Sequence, residues 1–274
     1  MRATGSRSVC RHPLFAGQRR EKKIKTQTMK TLIFSDLHEP PVQVFVKIES
    51  VIESETPECV VFLGDYFDQF GDSPEDAART SFWLKKSLAD PRRIHLIGNH
   101  DASYLWPNEA TFCPGFTWEK EKVIRCILGK NAARSFVFHG WVDEWLLTHA
   151  GLSAQWIPEG AGPIGNWLID QDIAARDAFA SGRPHWYLAV GPKRGGDARA
   201  GGILWCDYRE LEPIPGVRQI FGHTPDDSIR IIKGGPGVIA DRQHFQLCLD
   251  TNTGRGPQHF AVVEDGKVAT RTLS

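Results

Sequence analysis

Short apolar strands alternate with amphipathic helices in the first hundred residues, and this alternation constrains the fold most strongly. Residues 31–35 and 59–63 are brief runs rich in β-branched and aromatic side chains, which predict buried strands. Between them, residues 42–54 carry apolar side chains at helical spacing. A second helix is predicted to open at Ser73, and residues 93–97 read as a third strand. This order favours parallel strands joined by crossover helices, an α/β fold.

The rest of the chain is less regular. Residues 102–144 are rich in aromatic side chains, and we predict loops with short helices there. Residues 191–202 are rich in glycine and arginine, and we predict a mobile surface loop. One helix is predicted over residues 170–180. Further strands are predicted at residues 145–148, 217–221, 245–249, 259–263 and 268–273. Because neither a repeat nor a linker interrupts residues 29–274, we predict that they form a single domain.

The net charge of zero hides two unlike segments. Residues 1–28 contain eight basic residues and one acid, a charge of +7, so the remaining residues carry −7. We predict that residues 1–28 are a basic, disordered extension, with a targeting peptide or a nucleic-acid arm as alternatives. An acidic folded domain makes a basic track for nucleic acid on its surface unexpected.

The six cysteines form no C-x-x-C pair, which argues against a zinc knuckle, and we expect all six to be reduced thiols. Cys59 and Cys248 lie in apolar runs where cysteine behaves as a small hydrophobe. No apolar stretch approaches the roughly 18 residues that span a membrane. We therefore expect a cytoplasmic protein without a membrane partner.

Side chains able to bind a metal follow five predicted strands. Any one of these groups alone is typical of a turn acid or a surface histidine, but five in order are not. The carboxyl ends of strands in an open α/β sheet gather at one site, so we expect the five groups to converge. The groups are Asp36-Leu37-His38, Gly64-Asp65-Tyr66-Phe67-Asp68, Gly98-Asn99-His100-Asp101, Thr148-His149-Ala150-Gly151 and Phe221-Gly222-His223-Thr224-Pro225.

The donor types indicate which metals suit the site. Carboxylate, imidazole and amide oxygen donors without thiolate favour manganese, with iron, zinc or nickel as alternatives, and disfavour a structural zinc site. Six protein ligands exceed what one catalytic ion needs, and two ions that share a carboxylate would account for them. Such pairs of ions catalyse in-line displacement at phosphorus.

The ordered set of motifs resembles the calcineurin-like metallophosphoesterase superfamily, most closely in the style of its phosphoprotein phosphatase and diadenosine-tetraphosphatase branch. The resemblance implies a two-sheet β-sandwich flanked by helices, with a dinuclear centre at the strand ends of a catalytic domain over residues 29–274. It further implies that a hydroxide bridging two divalent ions attacks phosphorus in line. The implied ligands are Asp36, His38 and a bridging Asp65 for the first ion, and Asp65, Asn99, His149 and His223 for the second.

The resemblance also implies that His100 is the general acid and that Asp68 pairs with it. Three positions depart from the pattern. Pro225 replaces a second histidine found in many members, Gln69-Phe70 replaces the Arg-Gly of the phosphoprotein phosphatase branch, and Asp101 replaces its glutamate. These departures make protein phosphatase activity a weaker expectation than phosphoester hydrolysis itself.

Two further residues are candidates for supporting roles. Arg194 is predicted to bind a substrate phosphate, although a solvated loop is the simpler interpretation of it and of Arg183, Lys193 and Arg199. Asp250 follows a strand and is predicted either to orient a ligand histidine or to cap a turn.

The predicted activity is hydrolysis of a phosphomonoester or phosphodiester. The alternatives are a phosphoprotein phosphatase, a nucleotide or nucleic-acid phosphodiesterase, and a metal-binding scaffold without turnover. A scaffold without turnover has no leaving group to protonate, so the presence of an acid such as His100 argues against that alternative.

Overall fold

The structure is a computed structural model that describes residues 29–38, 42–233 and 245–273. The predicted extension over residues 1–28 lies outside the described residues. The helices are α1 (Val42–Glu55), α2 (Pro74–Ser87), α3 (Asn99–Leu105), α4 (Trp118–Leu128) and α5 (Ile164–Ala180). The strands are β1 (Thr31–Phe34), β2 (Cys59–Phe62), β3 (Arg93–His95), β4 (His139–Val142), β5 (Trp145–Thr148), β6 (Arg218–Phe221), β7 (Arg230–Lys233), β8 (Phe245–Cys248), β9 (His259–Glu264) and β10 (Lys267–Thr272).

Two five-stranded mixed sheets form the framework, in the orders β10-β9-β1-β2-β3 and β4-β5-β6-β8-β7. Strands β1, β2 and β3 run parallel in the first sheet, and β5, β6 and β8 run parallel in the second. The antiparallel strands β9 and β10 complete one sheet, while β4 and β7 flank the parallel strands of the other. The parallel core predicted from the first hundred residues is confirmed.

The strand side chains alternate between two apolar layers, as the two-residue period of a strand requires. Ile33, Val61 and Leu147 belong to the layer between the sheets, together with Ile220 and Val263. The alternate residues of the same strands, such as Leu32 and Phe62, pack with the helices instead. The predicted two-sheet sandwich flanked by helices is therefore confirmed.

Local sequence explains where the best predicted helix begins. Ser73 is the N-cap of α2: its hydroxyl accepts the Asp76 N–H at 3.2 Å, and the Asp76 carboxylate accepts the Ser73 N–H at 3.0 Å. This reciprocal pair is a capping box, and Pro74 occupies the first helical position. The predicted start of this helix is confirmed.

The region between β3 and β5 is more regular than predicted. It contains α3, α4 and β4, and α3 begins within the third motif at Asn99. Helix α5 also begins six residues before the predicted Asp170. Short helices are predicted for residues 102–144 without bounds, and α3 and α4 are such helices, whereas β4 is not predicted.

Cys113, Cys126, Cys206 and Cys248 are free thiols, as predicted. Cys59 is disulfide-bonded, so the prediction of a reduced thiol is wrong for this residue. An apolar neighbourhood explains why a cysteine is buried but does not fix whether its sulfur is bonded. Among the described helices, none is both long and apolar enough to cross a bilayer.

Candidate metal centre

The five motif loops meet where the two sheets adjoin. The His223 N–H donates to Asp36 Oδ1 at 2.9 Å, which links the end of β6 to the end of β1. The His38 N–H donates to the Asp65 carbonyl at 2.7 Å, and the Gly222 N–H donates to the His149 carbonyl at 2.6 Å. These bonds join the first motif to the second and the fifth, and the fourth motif to the fifth, so the convergence that strand ends predict is present.

Backbone strain is concentrated at these loops. Of the eight non-glycine residues with positive φ in the described chain, five are predicted site residues. A left-handed backbone costs free energy for any residue except glycine and persists where surrounding contacts enforce it, often at functional sites. The five are Asp36 (45°), His38 (43°), Asp65 (54°), Asp68 (70°) and His223 (71°).

Glycines in the motifs permit close approach to the carboxylates. A Cβ at Gly98 would lie 2.0 Å from Asp65 Oδ1, and one at Gly222 would lie 1.8 Å from Asp36 Oδ2. Neither position tolerates a side chain without displacing a predicted ligand. The glycines thus have a steric role that a turn propensity alone would not reveal.

Asp65 lies at the centre of the site. Its carboxylate belongs to two groups of side chains whose donor atoms lie within 4.8 Å of one another, one with His38 and His100 and one with His149 and His223. Its Oδ2 atom is 3.6 Å from His38 Nε2 and 3.3 Å from His149 Nε2. A carboxylate shared by two donor groups is the arrangement that a bridging ligand requires.

Backbone carbonyls orient two of the histidines. His149 Nδ1 lies 2.9 Å from the Leu63 carbonyl, and His38 Nδ1 lies 3.1 Å from the Phe67 carbonyl. Because a carbonyl only accepts, each Nδ1 must carry the proton. Each neutral ring then has a free lone pair on Nε2, on the side that faces Asp65.

The second donor group fits a cation. Asn99 Oδ1 lies 3.0 Å from His149 Nε2, and His149 Nε2 lies 3.2 Å from His223 Nδ1. In this orientation the Asn99 oxygen faces only acceptors, while its Nδ2 donates to Cys113 Sγ at 3.2 Å. With its oxygen and nitrogen exchanged, the Asn99 amide would instead donate to His149 Nε2 and His223 Nδ1, so this group of acceptors can be satisfied either by the amide nitrogen or by a cation bound to the amide oxygen.

Asp36 is placed differently from the other predicted ligands. One carboxylate oxygen accepts the His223 N–H, and the other accepts the Ser35 hydroxyl. Asp36 is fully buried, yet it lies outside both donor groups. Asp36 thus links two motif loops, and its role as a ligand of the first ion stays a prediction.

His100 and Asp68 form the predicted pair. His100 Nδ1 lies 2.9 Å from Asp68 Oδ2, and its ring meets the His38 ring edge to face at a centroid distance of 5.2 Å. The His100 ring is also part of the donor group with His38 and Asp65. With Nδ1 held by Asp68, the Nε2 atom of His100 is left to face either a metal ion or a substrate.

The electrostatics follow from burial and from the central carboxylate. Burial opposes protonation of His149, but the charge of Asp65 outweighs it and raises its pKa to about 9. Burial likewise opposes protonation of His100, whose pKa is nevertheless raised well above its usual value by Asp65 and by the bond to Asp68. His223 differs, because burial, followed by the positive charge of His149, lowers its pKa well below the usual value.

Sequence analysis missed the role of Asp101. Its buried carboxylate accepts the backbone N–H groups of Asp65 and Gly98, both at 2.8 Å, and of Tyr66 at 2.9 Å. Burial, followed by repulsion from Asp65, raises its pKa to about 7. The sequence signal for this role is the position of Asp101 in the third motif. In the structure, Asp101 ties the loop of that motif to Asp65.

The two supporting candidates are both held by neighbours. Arg194 Nη2 donates to the His223 carbonyl at 3.1 Å, and its Nε lies 3.2 Å from Asp207 Oδ2. Asp250 Oδ1 accepts the Asn252 N–H at 3.0 Å, which is the turn-capping contact. The Asn252 side chain in turn donates to the Asp36 carbonyl at 3.0 Å.

The other basic candidates have different partners. Arg183 pairs with Asp177, whereas the Arg199 guanidinium lies 4.4 Å above the Trp156 ring centroid. Lys193 is exposed, and its backbone N–H donates to Glu210.

The model of the calcineurin-like phosphoesterase family matches residues 29–227, most of the chain. The chain belongs to the calcineurin-like phosphoesterase family. It is accordingly a metallophosphoesterase, a hydrolase that acts on phosphoester bonds. Members of this family bind two divalent metal ions, and the two donor groups that share Asp65 could hold them.

A solved structure shows the same fold. The cold-active protein-tyrosine phosphatase of a psychrophilic Shewanella species is 16% identical, with a TM-score of 0.55 over 98% of this chain and 91% of that one. A protein serine/threonine phosphatase from Saccharomyces cerevisiae is 11% identical, with a TM-score of 0.45 over 89% of this chain and 79% of that one. No curated protein matches the chain in sequence.

Proposed function

We propose that this calcineurin-like phosphoesterase hydrolyses a phosphomonoester or phosphodiester at two divalent ions, with His100 as the acid that protonates the leaving group. The observation that carries the proposal is the meeting of the shared Asp65 and the His100–Asp68 pair in one site. When bound, the ions supply Lewis-acid charge and an activated water.

The protein groups divide the remaining work. Asp68 holds His100 through Nδ1, which fixes the ring and leaves Nε2 to donate a proton to the departing oxygen. Asp65 would be shared by the two ions, with His38 as a ligand of one and His149, His223 and Asn99 as ligands of the other. Asp36 reinforces the centre by holding the His223 backbone. Manganese suits these oxygen and imidazole donors, with iron, zinc or nickel as alternatives.

The exposure of the side chains supports a direction of substrate approach. The His38 and His100 side chains are 22% and 18% exposed, whereas that of His149 is fully buried. Solvent therefore reaches the centre over His38 and His100. A phosphoester that enters from this side presents its leaving group to His100.

Space for a substrate adjoins this opening. A cavity of about 1070 Å³ is lined by Leu37, next to His38, and by Gln69, next to Asp68. Phe70, at the same rim, is fully exposed. We propose that the esterified group lies here. In this proposal Arg194 supports the His223 loop. Only those guanidinium N–H groups that are not already bonded to protein atoms contact a substrate phosphate.

The function is tested by comparing leaving groups in the protein loaded with Mn²⁺. p-Nitrophenol leaves without protonation, whereas phenol needs an acid. We expect His100→Ala to lower kcat for phenyl phosphate by about 10²–10⁴-fold, the usual contribution of a general acid, and to affect p-nitrophenyl phosphate much less. If the protein is a diesterase, diphenyl and bis(p-nitrophenyl) phosphate serve in their place.

Metal analysis of the same variant separates the two roles open to His100. A full complement of two ions with the loss confined to phenyl esters supports the acid. Loss of one ion, with both esters affected alike, would show that His100 is a ligand. Wild-type protein that hydrolyses none of the four esters would contradict the proposed function.

Phosphotyrosine in a peptide is a second candidate substrate. The Shewanella neighbour of the same fold is a protein-tyrosine phosphatase, which motivates the choice. Release of phosphate from a phosphotyrosine peptide, without release of phenol from diphenyl phosphate, would favour it. A cytoplasmic location stays a prediction.

A further inference from the structure

A buried lysine reaches the acid pair from an unexpected element. Lys120 belongs to the first turn of α4, where the Thr117 hydroxyl accepts its backbone N–H at 3.2 Å. Its side chain is only 3% exposed. Its ammonium group donates to Asp68 Oδ1 at 2.5 Å and to Asp72 Oδ2 at 2.9 Å.

The position of this lysine runs against two local preferences. The first turn of a helix favours acidic side chains because the backbone N–H groups there carry partial positive charge. Lysine is also rarely buried unless it is paired, because its desolvation is costly. Stability of α4 therefore does not account for a buried ammonium at this place, and such local exceptions tend to mark functional sites.

The contacts of Asp68 are divided between its two oxygens. Oδ1 accepts from Lys120 at 2.5 Å and from the Tyr104 hydroxyl at 2.5 Å. Oδ2 is left to His100 Nδ1 at 2.9 Å. A Cβ at Gly115 would lie 2.8 Å from Asp68 Cβ, so the loop before α4 closes over the same residue. The carboxylate is thus prevented from rotating, although its backbone has the strained φ of 70°.

We propose that Lys120 is a positioning residue for the general acid: together with Tyr104 it locks Asp68 Oδ1, so that Oδ2 holds His100 in line with the leaving group. This inference rests on the proposed function and extends it, because it makes α4 part of the catalytic machinery. A purely structural tie between α4 and the loop after β2 is the competing explanation.

The two explanations differ in the reaction they disturb. A misplaced acid slows only those esters whose leaving group needs a proton. A loosened fold lowers metal content, thermal stability and turnover of all esters together. The ratio of kcat for p-nitrophenyl phosphate to kcat for phenyl phosphate therefore distinguishes them.

We expect Lys120→Met in the Mn²⁺-loaded protein to lower kcat for phenyl phosphate by about 10–100-fold, the scale of a displacement near 1 Å at a catalytic group. The kcat for p-nitrophenyl phosphate should change by less than about threefold, since that leaving group bypasses the acid. KM for both esters and the metal content should stay near wild-type values. The matched control is Lys122→Met, at an exposed lysine two residues further along α4. It should change neither kcat value nor the ratio of the two.

Tyr104→Phe provides a second variant that keeps the aromatic packing with Phe67 and Phe116. It removes the other donor to Oδ1 and should shift the ratio in the same direction, which keeps the test decisive if Lys120→Met does not fold. An equal loss for both esters in the folded variants overturns the inference while leaving the phosphoesterase assignment intact. Wild-type protein inactive on both these esters and the corresponding diesters overturns the proposed function itself.

Discussion

At the scale of single residues, two fully buried histidines show how one neighbour decides protonation. His149 faces the Asp65 carboxylate, which raises its pKa. His95 lies between two hydroxyls, those of Tyr66 and Ser87, both 3.0 Å from its ring nitrogens. Hydroxyls satisfy a neutral ring without stabilising a charged one, so burial, followed by the charge of Arg93, lowers the pKa of His95 to about 3.

This shift predicts a pH dependence of stability. His95 takes up a proton in the unfolded chain below about pH 6.5 but stays neutral in the folded protein down to about pH 3. Its contribution to the free energy of unfolding is therefore present above pH 6.5 and is lost at up to about 1.4 kcal/mol per pH unit as the pH falls toward 3. Urea unfolding of His95→Gln between pH 7 and pH 4 should show a shallower decline than wild type.

The control for that comparison is His259→Gln, which replaces a half-buried histidine at the start of β9. It should retain the wild-type slope. Parallel curves for wild type and His95→Gln would mean that His95 is already protonated in the folded protein, which would contradict the shift.

At the scale of elements, the helices differ in how far nearby residues determine where each one begins. Helix α2 carries its own start signal at Ser73 and its own basic last turn, and its beginning follows from sequence. Helix α4 has Thr117 as its N-cap, Glu119 in its first turn and Arg125 in its last turn, but it lacks the capping box and the proline of α2, and it packs on α2. The helix that sequence analysis did not delimit is the one that delivers Lys120.

The capping box of α2 supplies a direct test. Ser73→Ala removes the side-chain acceptor for the Asp76 N–H and should lower the free energy of unfolding by about 1 kcal/mol. Thermal or denaturant unfolding measures this loss. Ser73→Thr keeps a hydroxyl that accepts from the Asp76 N–H and donates to the Asp76 carboxylate, and it should stay within a few tenths of a kcal/mol of wild type. Equal losses in both variants would show that the hydroxyl has some other role.

At the scale of the whole molecule, the metal centre joins the two sheets. Asp36 follows a strand of one sheet and accepts the backbone N–H of His223, which follows a strand of the other. Asp65 adds a second link because it lies with His149 and His223. Ions bound here would hold both sheets at once, so metal binding should stabilise the entire domain.

That coupling predicts a metal-dependent unfolding temperature. Adding Mn²⁺ to protein stripped with EDTA should stabilise the fold by about 2.7 kcal/mol for each site whose Kd is one hundredth of the free-ion concentration. Asp65→Asn should abolish most of the shift and lower the content of both ions, because the shared ligand is weakened. Asp197→Asn, at an exposed acid of the Gly-rich loop, should keep the full shift. Two fully bound ions in Asp65→Asn would refute the bridging role.

Much of the candidate site follows from the sequence. The motif loops around Asp65, His100 and His149 were expected because short apolar runs mark strands, and strand ends of one sheet gather at one edge. The pairing of His100 with Asp68 is present at hydrogen-bond distance. The position of Asp36 outside both donor groups could not be foreseen, because it depends on a hydrogen bond to a residue 187 positions away.

The sequence by itself therefore determined the strand–helix alternation, the start of α2 and the chemical types available for metal binding, because each depends on neighbours within a few residues. The shared Asp65 was anticipated from the family resemblance, but only the tertiary structure decided that Lys120, 52 residues from Asp68, contacts the acid pair. These contacts depend on sheet register and helix packing, which arise from burial across the whole chain and leave no periodic trace in the sequence.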